Sequence, residues 1–324
     1  MDKYKVGIIG CGDIGFLFDH NKKTKGALSH FKAFRDSDKF DVTAVSEIRK
    51  DIRKIIETGY KIPAYADYKK MLDENKFDVV VVATSDETHF EILKYISGHK
   101  PRLVFAEKPL ATNYKDVKSI INLYSKNEIL LQVNYTRRFL NEFYDVERFL
   151  KNRQHGKIES ATLYYSRGLI HNASHYIDLI NWYIGETEKN ILRISEKKGI
   201  SEKDGTVSFD LFYREGPEVR FIGLNPSKLT FAEIDFIGSN GRIKINFRNQ
   251  IEKYKVTQNK LFKGYSSYEM YECKEINYTD ALPNAVENIY RVLKGKEELK
   301  SPATNSLKIF ELIKKIKESP LCQN

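Results

Sequence analysis

No stretch of this chain constrains its fold more than Lys3 to Gly15. A short apolar strand, Val6 to Ile9, runs straight into Gly10-Cys11-Gly12-Asp13-Ile14-Gly15. That is the glycine spacing of a dinucleotide-binding turn set between a buried strand and a helix. Gly10 is expected to make the tight turn, and Gly12 to let the backbone approach a pyrophosphate. Gly15 would let the next helix pack close on the strand, with its N-terminus favouring the phosphate charge. Cys11, Asp13 and Ile14 belong to the same turn and enter as candidate cofactor contacts, Cys11 as a small residue that fits there.

Such a turn gains weight from an acid at the end of the second strand. Phe40 to Ser46 reads as that strand and ends in Glu47, 32 residues after Gly15, where about 20 is usual. A polar insertion, Phe16 to Gly26, accounts for the excess and delays the amphipathic stretch Ala27 to Phe34 expected of the first helix. Glu47 could accept both ribose hydroxyls and repel a 2′-phosphate, which favours NAD over NADP. Arg49 argues the other way, because a nearby arginine pairs with that phosphate. The competing reading of Glu47 is a solvated turn residue.

Strands and helices then alternate. Helical spacing over Asp51 to Thr58 and Tyr68 to Asp73 leads to the buried-type strand Asp78 to Ala83. The loop Thr84-Ser85-Asp86 follows, with Ser85 or Asp86 as the cap of a helix from Glu87 to Ile96. Arg102 to Ala106 is the next strand, ending in Glu107-Lys108-Pro109; a helix (Tyr114 to Tyr124) and a strand (Ile129 to Tyr135) complete the set. This alternation predicts a doubly wound parallel sheet with ligands at the carboxyl ends of its strands, which puts Thr84, Glu107 and Lys108 on the cofactor edge.

From about Gly156 the period changes to alternation. Ile158 to Tyr165, Ile191 to Ser195, Thr206 to Tyr213, Glu218 to Leu224, Phe231 to Gly238 and Arg242 to Phe247 read as strands of an open antiparallel sheet. One helix, roughly Asn172 to Tyr183, interrupts them, and Ser306 to Lys317 is an amphipathic tail helix. The fold class expected is therefore α/β: an N-terminal Rossmann doubly wound parallel sheet, then an α+β domain with an open, mainly antiparallel sheet. The boundaries expected are 1–135, 136–300 and a terminal helix, 301–324, packing back on the body.

Composition removes several function classes. The 324 residues are 41% hydrophobic, enough for a core in each of two domains, and no apolar run is long enough to span a bilayer. The first residues do not read as a signal peptide. Cys11, Cys273 and Cys322 are odd in number and widely spaced, which points to reduced thiols and a cytoplasmic location. The net charge of +10 is spread along the chain without a run of about five or six like charges, so nucleic acid and membrane are not the expected partners.

Two constellations could carry chemistry. Lys108 follows a strand and precedes a proline that restricts the backbone before it, which would hold a lysine head in place; the alternative is an ordinary surface lysine. His171, His175 and Asp178 stand at i, i+4 and i+7 of the interrupting helix and share a face. They could ligate zinc, although no cysteine cluster supports a site and Asn172 stands where a zinc protease helix carries glutamate. They could be structural. Or a histidine could act as general acid/base, and the dinucleotide turn in the same chain favours that reading.

The glycine turn, Glu107-Lys108-Pro109, Tyr135-Thr136-Arg137-Arg138-Phe139 and Gly168 to Asp178, in this order and spacing, resemble the Gfo/Idh/MocA oxidoreductases over nearly the whole chain. The resemblance implies a Rossmann domain joined to an open-sheet domain, with NAD(H) or NADP(H) as cofactor and a sugar, cyclitol or nucleotide-linked sugar as substrate. It also implies a homodimer or homotetramer associating through the second sheet. It makes Lys108 the catalytic lysine, His175 the acid/base, and Thr84, Ser85 and His89 cofactor-side residues. His171 and Ala173 depart from the family's Asp and Gly, so His171 marks an altered proton relay or substrate contact. Tyr135, Arg137, Arg138 and Asn172 are the candidate substrate contacts. The alternatives are a reductase of an imine or linear tetrapyrrole and a catalytically silent dinucleotide sensor.

Overall fold

The computed structural model describes residues 3–22, 25–185, 189–201, 204–214, 216–225 and 231–321. Cys322, and Lys23 and Thr24 of the insertion, lie outside them. The chain divides into two compact units, Met1–Leu140 with Tyr278–Phe310, and Asn141–Asn277 with Glu311–Asn324.

In the first unit six strands form one parallel sheet: β1 (Tyr4–Ile9), β2 (Phe40–Ser46), β3 (Ala64–Tyr65), β4 (Val79–Val82), β5 (Leu103–Ala106) and β6 (Leu130–Val133). Their order is β3-β2-β1-β4-β5-β6, the doubly wound arrangement, in which the winding reverses between β1 and β4. β4 is four buried valines, as a strand covered on both faces must be. The crossovers carry α1 (His30–Arg35), α2 (Lys50–Tyr60), α3 (Tyr68–Glu74), α4 (His89–His99) and α5 (Tyr114–Lys126). Gly10, Glu47, Thr84 and Glu107 all stand just beyond the carboxyl ends of β1, β2, β4 and β5.

The second unit opens on α6 (Asn141–Lys151) and β7 (Ile158–Tyr165). It continues through α7 (Ser174–Tyr183), β8 (Lys189–Ser201), β9 (Asp204–Tyr213), β10 (Glu218–Gly223), β11 (Ala232–Gly238), β12 (Gly241–Ile245), β13 (Gln250–Gln258) and β14 (Ser266–Glu275). The sheet order is β14-β13-β12-β11-β7-β10-β9-β8, antiparallel except for the β7–β10 pair. Tyr183 of α7 meets Phe236 of β11 at 6.0 Å between ring centroids, so α7 packs on the apolar face. The other face carries cross-strand ion pairs, Arg220–Asp210 and Arg242–Asp235.

After β14 the chain forms α8 (Ala281–Leu293) and α9 (Thr304–Glu318). The expected boundary at 300 is displaced here. Leu282, Ala285, Val286 and Ile289 of α8 join Val6, Ile8, Phe31 and Phe34 in the core of the first unit. The pattern reading also passed over α6, α8, β13 and β14. β14 is exposed along most of its length, so it lacks the alternation that betrays a half-buried strand.

Candidate functional site

In the glycine turn, steric fit separates the three glycines. Gly10 has φ +92°, and a Cβ there would lie 2.4 Å from the carbonyl oxygen of Ala83. A Cβ on Gly15 would lie 2.1 Å from the Gly10 carbonyl oxygen. Both positions exclude any side chain on packing grounds alone. Gly12 is different: the nearest atom to its Cβ would be Arg49 Nη2 at 3.8 Å, so its outer side is open. Directly after the turn stands a five-residue π-helical turn, Asp13–Leu17, with Phe16 N and Leu17 N donating to the Gly12 carbonyl. The insertion intervenes, and α1 begins at His30. Asp19 anchors that entry: its Oδ2 accepts from Leu28 N, Ser29 N and Ser29 Oγ at 2.7–2.8 Å.

Glu47 is not a solvated turn residue. Its side chain is 6% exposed, and every lone-pair direction is engaged. Oε2 accepts from Cys11 N at 2.9 Å and Arg49 Nη2 at 3.3 Å; Oε1 accepts from Arg49 N and Arg49 Nε, both at 3.0 Å. Burial pushes its carboxyl pKa up, but the Arg49 and Cys11 hydrogen bonds outweigh burial and hold it below the usual carboxylate range. Arg49 also reaches the Cys11 carbonyl at 3.4 Å. The Cys11 amide therefore faces Glu47, and its thiol, pushed up by burial and then by Glu47, is a buried filler of the turn. Asp13 is exposed, and Ile14 packs partly on the core.

Two buried histidines hold the Glu107-Lys108-Pro109 turn. His30 Nε2 lies 2.7 Å from Glu107 Oε1, which Asn134 Nδ2 also reaches at 2.7 Å. Burial raises the Glu107 pKa, yet His30, Asn134 and the Lys108 charge bring it below the ordinary value. On the other side His89 Nδ1 lies 2.8 Å from the Pro109 carbonyl, and its Nε2 lies 3.1 Å from that of Thr84. His89 thus ties the loop after β4 to the lysine turn, and it is wholly buried. Lys108 is half-buried, and the Lys108–Pro109 peptide is cis. Thr84 receives a 2.8 Å bond from Thr88 Oγ1, and Ser85 is exposed and caps no helix through its side chain.

One substrate candidate changes character. Tyr135 is 1% exposed, with its hydroxyl 3.5 Å from Ser306 Oγ, so it is a packed tyrosine rather than one presented to a ligand. Arg137 and Arg138 sit half-exposed on the short 3₁₀ turn Thr136–Phe139, Arg137 lying 5.9 Å from the centre of the Tyr278 ring.

In the second unit the histidines sit on two kinds of helix. A π-helical turn, Leu169–Ala173, carries His171 and Asn172, and α7 carries His175 and the buried Asp178. Gly168, at φ +96°, starts the turn, and a Cβ there would lie 2.2 Å from Asp204 Oδ2. Asp204 closes the turn from the start of β9: Oδ1 accepts from Ile170 N and Oδ2 from His171 N, each at 2.8 Å. Asn172 Nδ2 donates to the Ser166 carbonyl at 2.7 Å, so its amide supports the turn that carries it. His171 and His175 are half-buried. Asp204, His30 and Asn134 escaped the sequence reading because nothing local marks them; only the pairing of distant segments does. Among the described residues no group of three or more His, Cys, Asp or Glu side chains is placed to hold a metal ion, and no helix is long and apolar enough to cross a membrane.

Residues 4–135 match the model of the Gfo/Idh/MocA family, an oxidoreductase family with an NAD-binding Rossmann fold. They form a Gfo/Idh/MocA Rossmann domain. The chain is 27% identical over 208 residues to the inositol 2-dehydrogenase/D-chiro-inositol 3-dehydrogenase of Lactiplantibacillus plantarum, covering 60% of this chain and 56% of that protein. It is 29% identical over 154 residues to the myo-inositol 2-dehydrogenase of Thermotoga maritima, covering 47% and 42%. The chain thus spans about half the length of the curated relatives it matches. A solved structure, the WlbA dehydrogenase of Bordetella pertussis in complex with NADH and UDP-GlcNAcA, shares the fold of both units at a TM-score of 0.75, 18% identity and full coverage of each chain.

Proposed function

We propose that this protein is an NAD-dependent dehydrogenase or reductase that acts on a secondary alcohol or ketone of a cyclitol, sugar or nucleotide-linked sugar. The observation that carries the reading is the glycine turn, closed against side chains at Gly10 and Gly15 and open at Gly12, with Glu47 at the end of β2 beside it. Those residues suit a dinucleotide: the backbone around Gly12 would meet the pyrophosphate, Arg49, held by Glu47, the adenosine ribose, and Thr84 and Ser85 the cofactor along the edge of β4. When bound, the nicotinamide supplies a hydride acceptor or donor at its C4.

The residues of the chain supply the rest. Lys108, next in the chain to the buried Glu107, would hydrogen-bond the reacting oxygen and stabilise the negative charge that develops there. His175 would take or give a substrate hydroxyl proton. His171, Arg137 and Arg138 would contact substrate hydroxyls or an anionic group. The inositol dehydrogenases among the relatives, and the UDP-sugar acid in the structural neighbour, support a polyhydroxylated ring as the substrate class. Exposed apolar side chains on the second unit's edge strands, among them Leu192, Ile194 and Met270, support self-association through that sheet as a dimer or tetramer.

The test is absorbance at 340 nm with NAD or NADP and a panel of inositols, sugars, sugar phosphates and nucleotide sugars, then with the reduced cofactors and keto-sugars. Turnover of one substrate class, lost in Lys108→Ala and His175→Ala, is the expected result. NADH binding without turnover on any panel member would instead fit a dinucleotide sensor. No NADH binding at all would end the reading.

A further inference from the structure

The first unit contains a buried acid–base pair that the mechanism above does not use. His30, at the start of α1, is wholly buried and lies against Phe105 with ring centroids 4.9 Å apart. Its Nε2 is 2.7 Å from Glu107 Oε1, and its Nδ1 is buried with no hydrogen-bond partner. An ionised carboxylate only accepts, so Nε2 carries the shared proton. A buried carboxylate with one strong donor would be costly; Asn134 supplies a second. Among the described residues, His30 from α1 and Asn134 beyond β6 bond this carboxylate, and the charge of Lys108, the next residue in the chain, acts on it. His89, at the start of α4, engages the Pro109 carbonyl rather than the carboxylate.

We propose that His30 is a positioning residue for Lys108: by donating to Glu107 it keeps a buried negative charge next to the lysine, which holds the lysine head cationic and fixes the turn that aims it. This rests on the role proposed above for Lys108. The physical chain is short. His30 favours the ionised form of Glu107. The Glu107 charge, poorly screened in the interior, favours the ammonium form of Lys108. Glu107 also lies below the ordinary carboxylate range, with His30 the foremost opponent of its burial. The α1 entry that presents His30 is pinned by Asp19, so the polar insertion after the glycine turn has a consequence for the lysine turn.

The experiment reads Lys108 directly and does not depend on knowing the substrate. Trace acetic anhydride labelling across a pH series, with mass spectrometry of the Lys108 peptide, gives the pH at which that amine is half-reactive. His30→Ala and Glu107→Gln are each expected to move this midpoint down by about one pH unit. His30→Gln, whose amide can still donate to Glu107, restores it. An unchanged midpoint in Glu107→Gln, or in a folded His30→Ala whose melting temperature has dropped, would make the pair a structural brace and overturn the proposal. Should His30→Ala fail to fold, the near-isosteric Glu107→Gln decides alone. In the turnover assay the His30→Ala loss is expected in kcat, with KM for the cofactor unmoved. If the wild-type protein turns over nothing, the oxidoreductase reading falls, while the labelling still decides whether His30 and Lys108 are coupled.

Discussion

Glu47 Oε2 accepts a 2.9 Å hydrogen bond from the backbone N–H of Cys11, so the acid at the end of β2 closes the glycine turn from the side. The same carboxylate is covered by the Arg49 guanidinium, 45% exposed, which leaves a neutralised pair where a bare acid would repel a 2′-phosphate.

Arg49→Ala should therefore sharpen cofactor choice. Uncovering Glu47 is expected to weaken NADPH roughly tenfold relative to NADH, the worth of about one charge-assisted hydrogen bond. Fluorescence titration with both reduced cofactors checks this; an unchanged ratio would remove Arg49 from the ribose site.

The glycines predict opposite phenotypes. Gly10→Ala and Gly15→Ala drive a methyl into backbone atoms 2.4 Å and 2.1 Å away, and each is expected to cost roughly 1–3 kcal/mol or more of stability. Gly12→Ala meets nothing closer than 3.8 Å, so its melting temperature should stay near wild type while NADH binding weakens. Thermal melts with and without NADH separate the two cases.

Asp204→Ala should disturb the histidine turn without touching the glycine turn. Loss of the two 2.8 Å bonds to Ile170 N and His171 N is expected to cost about 1 kcal/mol and to lower kcat, leaving NADH affinity intact. Equal losses in kcat and NADH affinity would show that the effect is general unfolding.

Stability should fall with acid in two stages. Burial pushes the His155 ring below its usual 6.5, and the buried Glu47 and Glu107 carboxyls lie below 4.5 despite burial, because of the hydrogen bonds described above. For all three the folded pKa is the lower one, so the unfolded chain binds more protons and stability drops as pH falls. The first decline is expected below about pH 6.5, the second below about 4.5. Melting temperatures across pH 3.5–8 check both stages, and His155→Leu should flatten the first.

The amino-acid sequence alone determined the parallel sheet, the glycine turn, the acid at Glu47, the lysine turn at Lys108 and the histidine pair. Each is written in local spacing: an apolar strand before glycines, valine runs between helical periods, a proline after a lysine. It also pointed to the family of the first 135 residues, since those motifs occur in a fixed order. The tertiary structure decided what those residues touch. That Glu47 is spent on Cys11 and Arg49, that Tyr135 is packed away, and that α8 belongs to the first unit all depend on segments brought together from far apart in the chain. So do the His30–Glu107 pair and the Asp204 clasp on the histidine turn, whose partners are 77 and more than 30 residues apart. Local spacing reports the period of an element and the residues at its ends. Burial and hydrogen-bond partners are set by packing between elements, and no short window of sequence contains that.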